Sequence, residues 1–117
     1  MSIQRFGVGP RMSMAVKHGN TVYLAGHVAS DKAKGKSVTE QTADILAQID
    51  ARLAEAGTDK TKLLSASIWL TDISTFSQMN GVWDKWVSPG NTPARATVEA
   101  KLASPEYTVE IAVIAAA

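Results

Sequence analysis

The chain has 117 residues, 45% of them hydrophobic, with no cysteine and a formal net charge of +1 from twelve Lys and Arg against eleven Asp and Glu. That length provides material for one hydrophobic core and not two, so residues 1–117 are expected to form a single domain, and the lack of cysteine excludes disulfides and thiolate metal sites. Neither charge sign concentrates into a phosphate-binding stripe, no segment approaches the roughly 20 apolar residues of a membrane span, and Met1–Phe6 lacks the apolar run of a signal peptide, so a cytoplasmic protein with no nucleic-acid or membrane partner is expected.

Met12, Met14 and Val16 alternate with Ser13, Ala15 and Lys17, His18-Gly19-Asn20 interrupts, and Val22-Tyr23-Leu24-Ala25 resumes an apolar run. This pattern predicts a hairpin. Asp31–Ser37 carries Lys32, Lys34 and Lys36 around Gly35 and reads as a solvated loop. Ser37-Val38-Thr39-Glu40 has capping-box spacing, with the Ser37 hydroxyl and the Glu40 carboxylate each expected to satisfy a free amide of the first turn. Ile45, Leu46, Ile49, Leu53 and Ala56 then recur at helical spacing up to Gly57, which predicts one helix over 38–56.

Leu64, Ala66, Ile68 and Leu70 alternate with polar or aromatic neighbours, the period of a half-buried strand. A second helix is expected after Thr75, with Thr75 and Gln78 at capping-box spacing and a stripe of Phe76, Met79, Trp83 and Trp86 that reads as core. Gly81 within it lowers helical propensity by about 1 kcal/mol relative to Ala, which points to local irregularity or to close packing against the backbone. Two strands complete the chain, Arg95–Ala100 and Tyr107–Ile114. The order of elements predicts an α+β sandwich with two helices on one face of a mixed sheet. Ile111 to Ala116 is apolar at every position, so the second face also needs cover, most simply from another subunit.

With only His18 and His27 and no cysteine, a catalytic zinc site has little to draw on, and neither a phosphate-binding glycine loop nor a G-x-S-x-G elbow is present. His27 follows Gly26 at a strand end, where it can line a cleft, although a lone histidine is more often structural. Arg95 stands just after Pro93 at the mouth of a strand of small and β-branched residues, well placed to clamp a carboxylate through both arms of its guanidinium. Glu110 lies among Val109, Ile111, Val113 and Ile114, where a carboxylate is costly to bury without a partner. Two readings follow: Arg95 and Glu110 pair with each other in the sheet, or both serve a ligand.

Several segments carry a resemblance to the RidA (YjgF) family of reactive intermediate deaminases, in its YoaB-like branch. They are Gly19-Asn20-Thr21-Val22-Tyr23-Leu24-Ala25-Gly26, Glu40-Gln41-Thr42, Asn80, Pro93-Ala94-Arg95 with Val98 and Leu102, and Val109-Glu110-Ile111, with fifteen residues from the arginine to the glutamate. The resemblance implies a chorismate-mutase-like fold, a homotrimer with clefts between subunits, and hydrolysis of enamines and imines such as 2-aminoacrylate to 2-oxo acids and ammonia, without metal or organic cofactor. It implies Arg95 and Glu110 as catalytic residues, with Gly26, Thr97, Asn80, Arg11, Met12 and His27 about the substrate. Arg11 or Met12 stands near the place of the family's tyrosine, His27 replaces a glutamine, Thr97 replaces a cysteine, and Ala112 replaces a second acid. Three rivals remain: a non-catalytic module for small 2-oxo or carboxylic acids, which Arg11 favours, a ribonuclease or translation inhibitor, which the near-neutral charge disfavours, and a pure oligomerisation protein.

Overall fold

A computed structural model describes residues 1–117 and shows why the two apolar periodicities come together. The strands are β1 (Ile3–Val8), β2 (Ser13–His18), β3 (Thr21–Leu24), β4 (Leu63–Leu70), β5 (Ala94–Glu99) and β6 (Val109–Ala116), and the helices are α1 (Val38–Glu55) and α2 (Phe76–Trp86). They form one six-stranded sheet in the order β1-β2-β3-β6-β4-β5. All neighbours are antiparallel except β4 and β5, which α2 joins as a parallel crossover. The α+β architecture expected from the sequence is the one observed, with β1 as an additional edge strand. No helix is long and apolar enough to cross a membrane.

One face of the sheet holds the core. Val22, Leu24, Ala66, Ile68, Leu70, Val109, Ile111 and Val113 are buried there, together with Ile45, Leu46, Ile49 and Leu53 from α1. Burying each of these larger aliphatic side chains contributes about 1.5–3 kcal/mol. The alternate residues of the same strands form the opposite face, where Tyr23 and Val98 are 47% and 51% exposed and Glu110, Ala112 and Ile114 are half-buried. A single chain therefore leaves that face largely uncovered.

Three local expectations are revised. At the start of α1, Ser37 Oγ accepts from the Glu40 N–H at 3.1 Å, but the Glu40 carboxylate accepts from the Ser37 hydroxyl at 3.2 Å instead of from an amide, so only half of the capping box forms. Thr75 makes no side-chain cap on α2; its hydroxyl donates to the Asp72 carbonyl at 2.6 Å. Asp72 caps instead, accepting from the Ser74 N–H at 2.9 Å to start a short 3₁₀ turn, Ile73–Thr75, that leads into the helix. Gly81 is neither a break nor a close contact, since α2 runs through it and a Cβ there would meet nothing within 4 Å.

Candidate functional site

β5 is an edge strand, and its parallel register aligns Ala66 with Arg95 and Ile68 with Thr97. Ala66 and Ile68 face the helices, so Arg95 and Thr97 do as well. The Arg95 side chain rises toward α2, where its Cζ lies 5.7 Å from the centroid of Phe76 and 5.2 Å from that of Trp83. Arg95 takes part in none of the ion pairs or side-chain hydrogen bonds of the chain. Phe76, Asn80 and Trp83 are spaced four and three residues apart and share one stripe of α2, which places Asn80 between the two rings. Asn80 Oδ1 and Thr97 Oγ1 are both buried without a hydrogen-bond partner. A cation with all its donors free thus sits beside two unsatisfied oxygens, an arrangement suited to an anion that also carries polar hydrogen.

Glu110 belongs to a different place. It pairs across the sheet with Trp69, which also aligns with Val98 of β5, and all three point to the uncovered face. Arg95 and Glu110 are separated by two strand spacings and three residues of β4, about 14 Å between Cα atoms, with side chains on opposite sides of the sheet. The ion pair between them, one of the two readings of the sequence, is therefore absent, because the register sets their directions and not their fifteen-residue spacing. Glu110 has no salt-bridge partner of its own. None of the surface hollows of the single chain is lined by Arg95 or Glu110.

Gly26 accompanies Glu110. A Cβ built on Gly26 would collide with Glu110 Oε2 and lie 3.0 Å from Cδ, so the carboxylate rests against bare backbone. His27 faces the other way. It forms a β-bridge with Ile111, donating its N–H to Ile111 O at 2.8 Å and accepting from Ile111 N–H at 3.0 Å, and shares that residue's buried side. The imidazole is 1% exposed, with Nδ1 2.8 Å from the Ala25 carbonyl and Nε2 buried without a partner. Burial holds its pKa below the usual 6.5 against the upward pull of the Ala25 carbonyl, and the Arg52 charge pushes it further down. His27 is thus a neutral core residue, and its expected place on a cleft wall is corrected: alternation puts Gly26, not His27, beside Glu110.

Arg11 and Met12 lie exposed in the β1–β2 turn, held by the Gly9 N–H bonding to the Met12 carbonyl at 2.8 Å, toward the opposite edge of the sheet from β5 and Arg95. From the sequence, the stripe of Phe76 and Trp83 reads as core in preference to a ligand box. Trp83 is core, at 5% exposure, but Phe76 is 39% exposed, and both rings also bracket the arginine. Their seven-residue spacing was the available signal.

An endoribonuclease L-PSP family model matches residues 3–117. The RutC family protein YoaB of Escherichia coli strain K12 is 44% identical over 116 residues, covering 99% of each chain, and a RutC family protein of Haemophilus ducreyi is 40% identical over 114 residues, covering 97% of this chain and 96% of the relative. Among solved structures, a member of the YjgF protein family from Neisseria meningitidis matches with a TM-score of 0.95 at 51% identity, over 99% of this chain and 95% of that one. The Rid-family protein YyfA of Yersinia pestis matches with a TM-score of 0.84 at 32% identity, over 94% and 90%.

Proposed function

This chain belongs to the endoribonuclease L-PSP family of YjgF, Rid and RutC proteins, and we propose that it hydrolyses small 2-imino acids to 2-oxo acids and ammonia in clefts between the subunits of a homotrimer. The observation that carries this reading is the Arg95 guanidinium, ordered against two rings yet unneutralised by any carboxylate of its own chain. Such a group binds a substrate carboxylate through paired, charge-assisted hydrogen bonds. Glu110 and Gly26, on the uncovered face, form the second half of the site. Because one chain cannot bring its two halves together, the Glu110 that serves a given Arg95 comes from a neighbouring copy.

In the assembled cleft Arg95 fixes the carboxylate of the imino acid, and Glu110 accepts a hydrogen bond from a water poised over the imine carbon. The water oxygen bonds to that carbon as one of its protons passes through Glu110 to the imine nitrogen, giving a tetrahedral aminoalcohol. The carbon–nitrogen bond then breaks as Glu110 takes the hydroxyl proton and delivers it to the departing amino group, which leaves as ammonia, and a 2-oxo acid remains. The rate gain comes from positioning and from charge already in place, with no metal or organic cofactor in the scheme.

The test generates imines in place with an amino-acid oxidase across several amino acids and follows their loss by semicarbazide trapping. Wild type is expected to hasten imine loss, whereas Arg95→Ala, which removes about 1.5–3 kcal/mol of charged hydrogen bonding, is expected to be much slower. Equal rates for both proteins on every imine would overturn the reading. Tight binding of 2-oxo acids without turnover would favour the binding module instead, a reading supported by the exposed and unpaired Arg11.

A further inference from the structure

We infer that Phe76 and Trp83 are positioning residues, forming an aromatic cage that fixes the plane and direction of the Arg95 guanidinium for carboxylate binding. The inference rests on the reading of Arg95 as the carboxylate clamp and adds how that clamp is held. Arg95 sits on the edge strand β5, with no further strand of its own chain beside it, and an arginine there is free to adopt many rotamers. A carboxylate of the same chain could hold it only by occupying the N–H fork that the ligand needs. Aromatic faces hold a guanidinium through its flat surface and leave its in-plane N–H donors free. Two rings from one helix, 5.7 Å and 5.2 Å from Cζ, restrict it more than one could.

The cage is itself anchored. Trp83 packs against Trp86 with centroids 5.3 Å apart and planes at 51°. Trp86 Nε1–H donates to Asp50 Oδ2 on α1 at 3.0 Å, and Lys60 Nζ lies 5.2 Å over the Trp86 ring. Orientation thus passes from α1 through Trp86 and Trp83 to the guanidinium. Phe76 closes the outer side from the first position of α2, where the Asp72-capped turn sets its direction.

The inference is tested by calorimetric binding of 2-oxobutanoate together with imine turnover, using wild type, Phe76→Leu, Phe76→Tyr, Trp83→Phe, Arg95→Ala and the Phe76→Leu/Arg95→Ala double variant. Thermal melting checks that each is folded, and the half-exposed Phe76 supplies a variant that spares the core. Phe76→Leu is expected to raise Kd and KM by about three- to thirtyfold, with kcat changing less. Phe76→Tyr restores both, and Trp83→Phe gives a smaller rise. In the Arg95→Ala background Phe76→Leu has no further effect, and in wild type the Arg95 Nε–H resonance shows a ring-current displacement that Phe76→Leu reduces. Normal binding by folded Phe76→Leu and Trp83→Phe proteins overturns the inference, as does a Phe76→Leu loss of equal size with and without Arg95, or a wild type that does not bind the acid. Binding that depends on the cage without imine turnover overturns the deaminase reading alone.

Discussion

Gly26 lies directly beneath the carboxylate of Glu110, so closely that a methyl group on its Cα would overlap Oε2. Its φ is outside the left-handed region, so alanine suits the backbone and only the tip of the glutamate must move. Gly26→Ala is therefore expected to fold normally while shifting the carboxylate by about an ångström, a displacement that lowers kcat for imine hydrolysis about ten- to a hundredfold. Affinity for 2-oxobutanoate, carried by Arg95, should stay within about twofold of wild type. Unchanged kcat would show that Glu110 acts from elsewhere or not at all.

The opposite directions of Arg95 and Glu110 predict complementation between inactive chains. Arg95→Ala and Glu110→Gln proteins, each inactive, are expected to regain activity when unfolded together and refolded, since some clefts then combine an intact arginine from one chain with an intact glutamate from another. Random mixing in a closed ring restores about a quarter of the sites. No recovery in mixed oligomers, shown by mass spectrometry to have formed, would mean that both residues of a site come from one chain.

His27 makes stability depend on pH. Burial, aided by Arg52, keeps its folded pKa below 6.5, so as pH falls through 6.5 the unfolded chain takes up a proton that the folded chain refuses. This contribution is complete above 6.5, declines as pH falls, and levels off once the folded imidazole also protonates. The wild-type urea midpoint should fall between about pH 7.5 and 5, and His27→Gln should flatten that part of the curve. Burial pushes the Asp44 carboxyl up, but hydrogen bonds from Ser30 and Gln48 hold it below its usual 3.8, so its contribution is lost only at lower pH. A pH dependence unaltered in His27→Gln would assign the effect to other groups.

Gln41 is fully buried and joins three segments: its amide donates to the Lys36 and Glu106 carbonyls at 2.8 Å and 2.9 Å, and its Oε1 accepts from the Thr108 N–H at 3.0 Å. Gln41→Ala leaves these backbone groups unpaired and is expected to cost about 3 kcal/mol in urea unfolding. Loosening Thr108 also frees the approach to β6, so kcat should fall in parallel. A loss under about 0.5 kcal/mol would show that water replaces the amide.

How much could be read in advance followed burial. The stretch from Val38 to Ala56 and Ala66–Leu70 show clean periods because one side of each is excluded from water, but Leu64, expected on the buried side, is 51% exposed: a bulge between Leu63 and Ser65 shifts the register and gives the buried place to Leu63. β1 escaped detection because it is an edge strand with Ile3 and Val8 largely exposed; its backbone pairing with β2 carries no side-chain signature. Asp72 displaced Thr75 as the cap because a 3₁₀ turn precedes α2, a feature the capping pattern does not encode. For the candidate site, the sequence singles out Arg95, Glu110, Gly26, Asn80 and Thr97 but does not give their directions. Which side of the sheet each faces depends on the alignments Ala66–Arg95 and Trp69–Glu110, and these are fixed by pairing between strands far apart in sequence.

In the proposed reading, a reactive pair divided between two copies of a chain turns protein concentration into a term of the rate law. Below the dissociation constant of the proposed assembly, each copy still carries an arginine and a glutamate, but on sides that never meet. Specific activity should then drop on dilution and return when inactive chains that keep Glu110 are added, so that the supply of neighbours sets the output of every site.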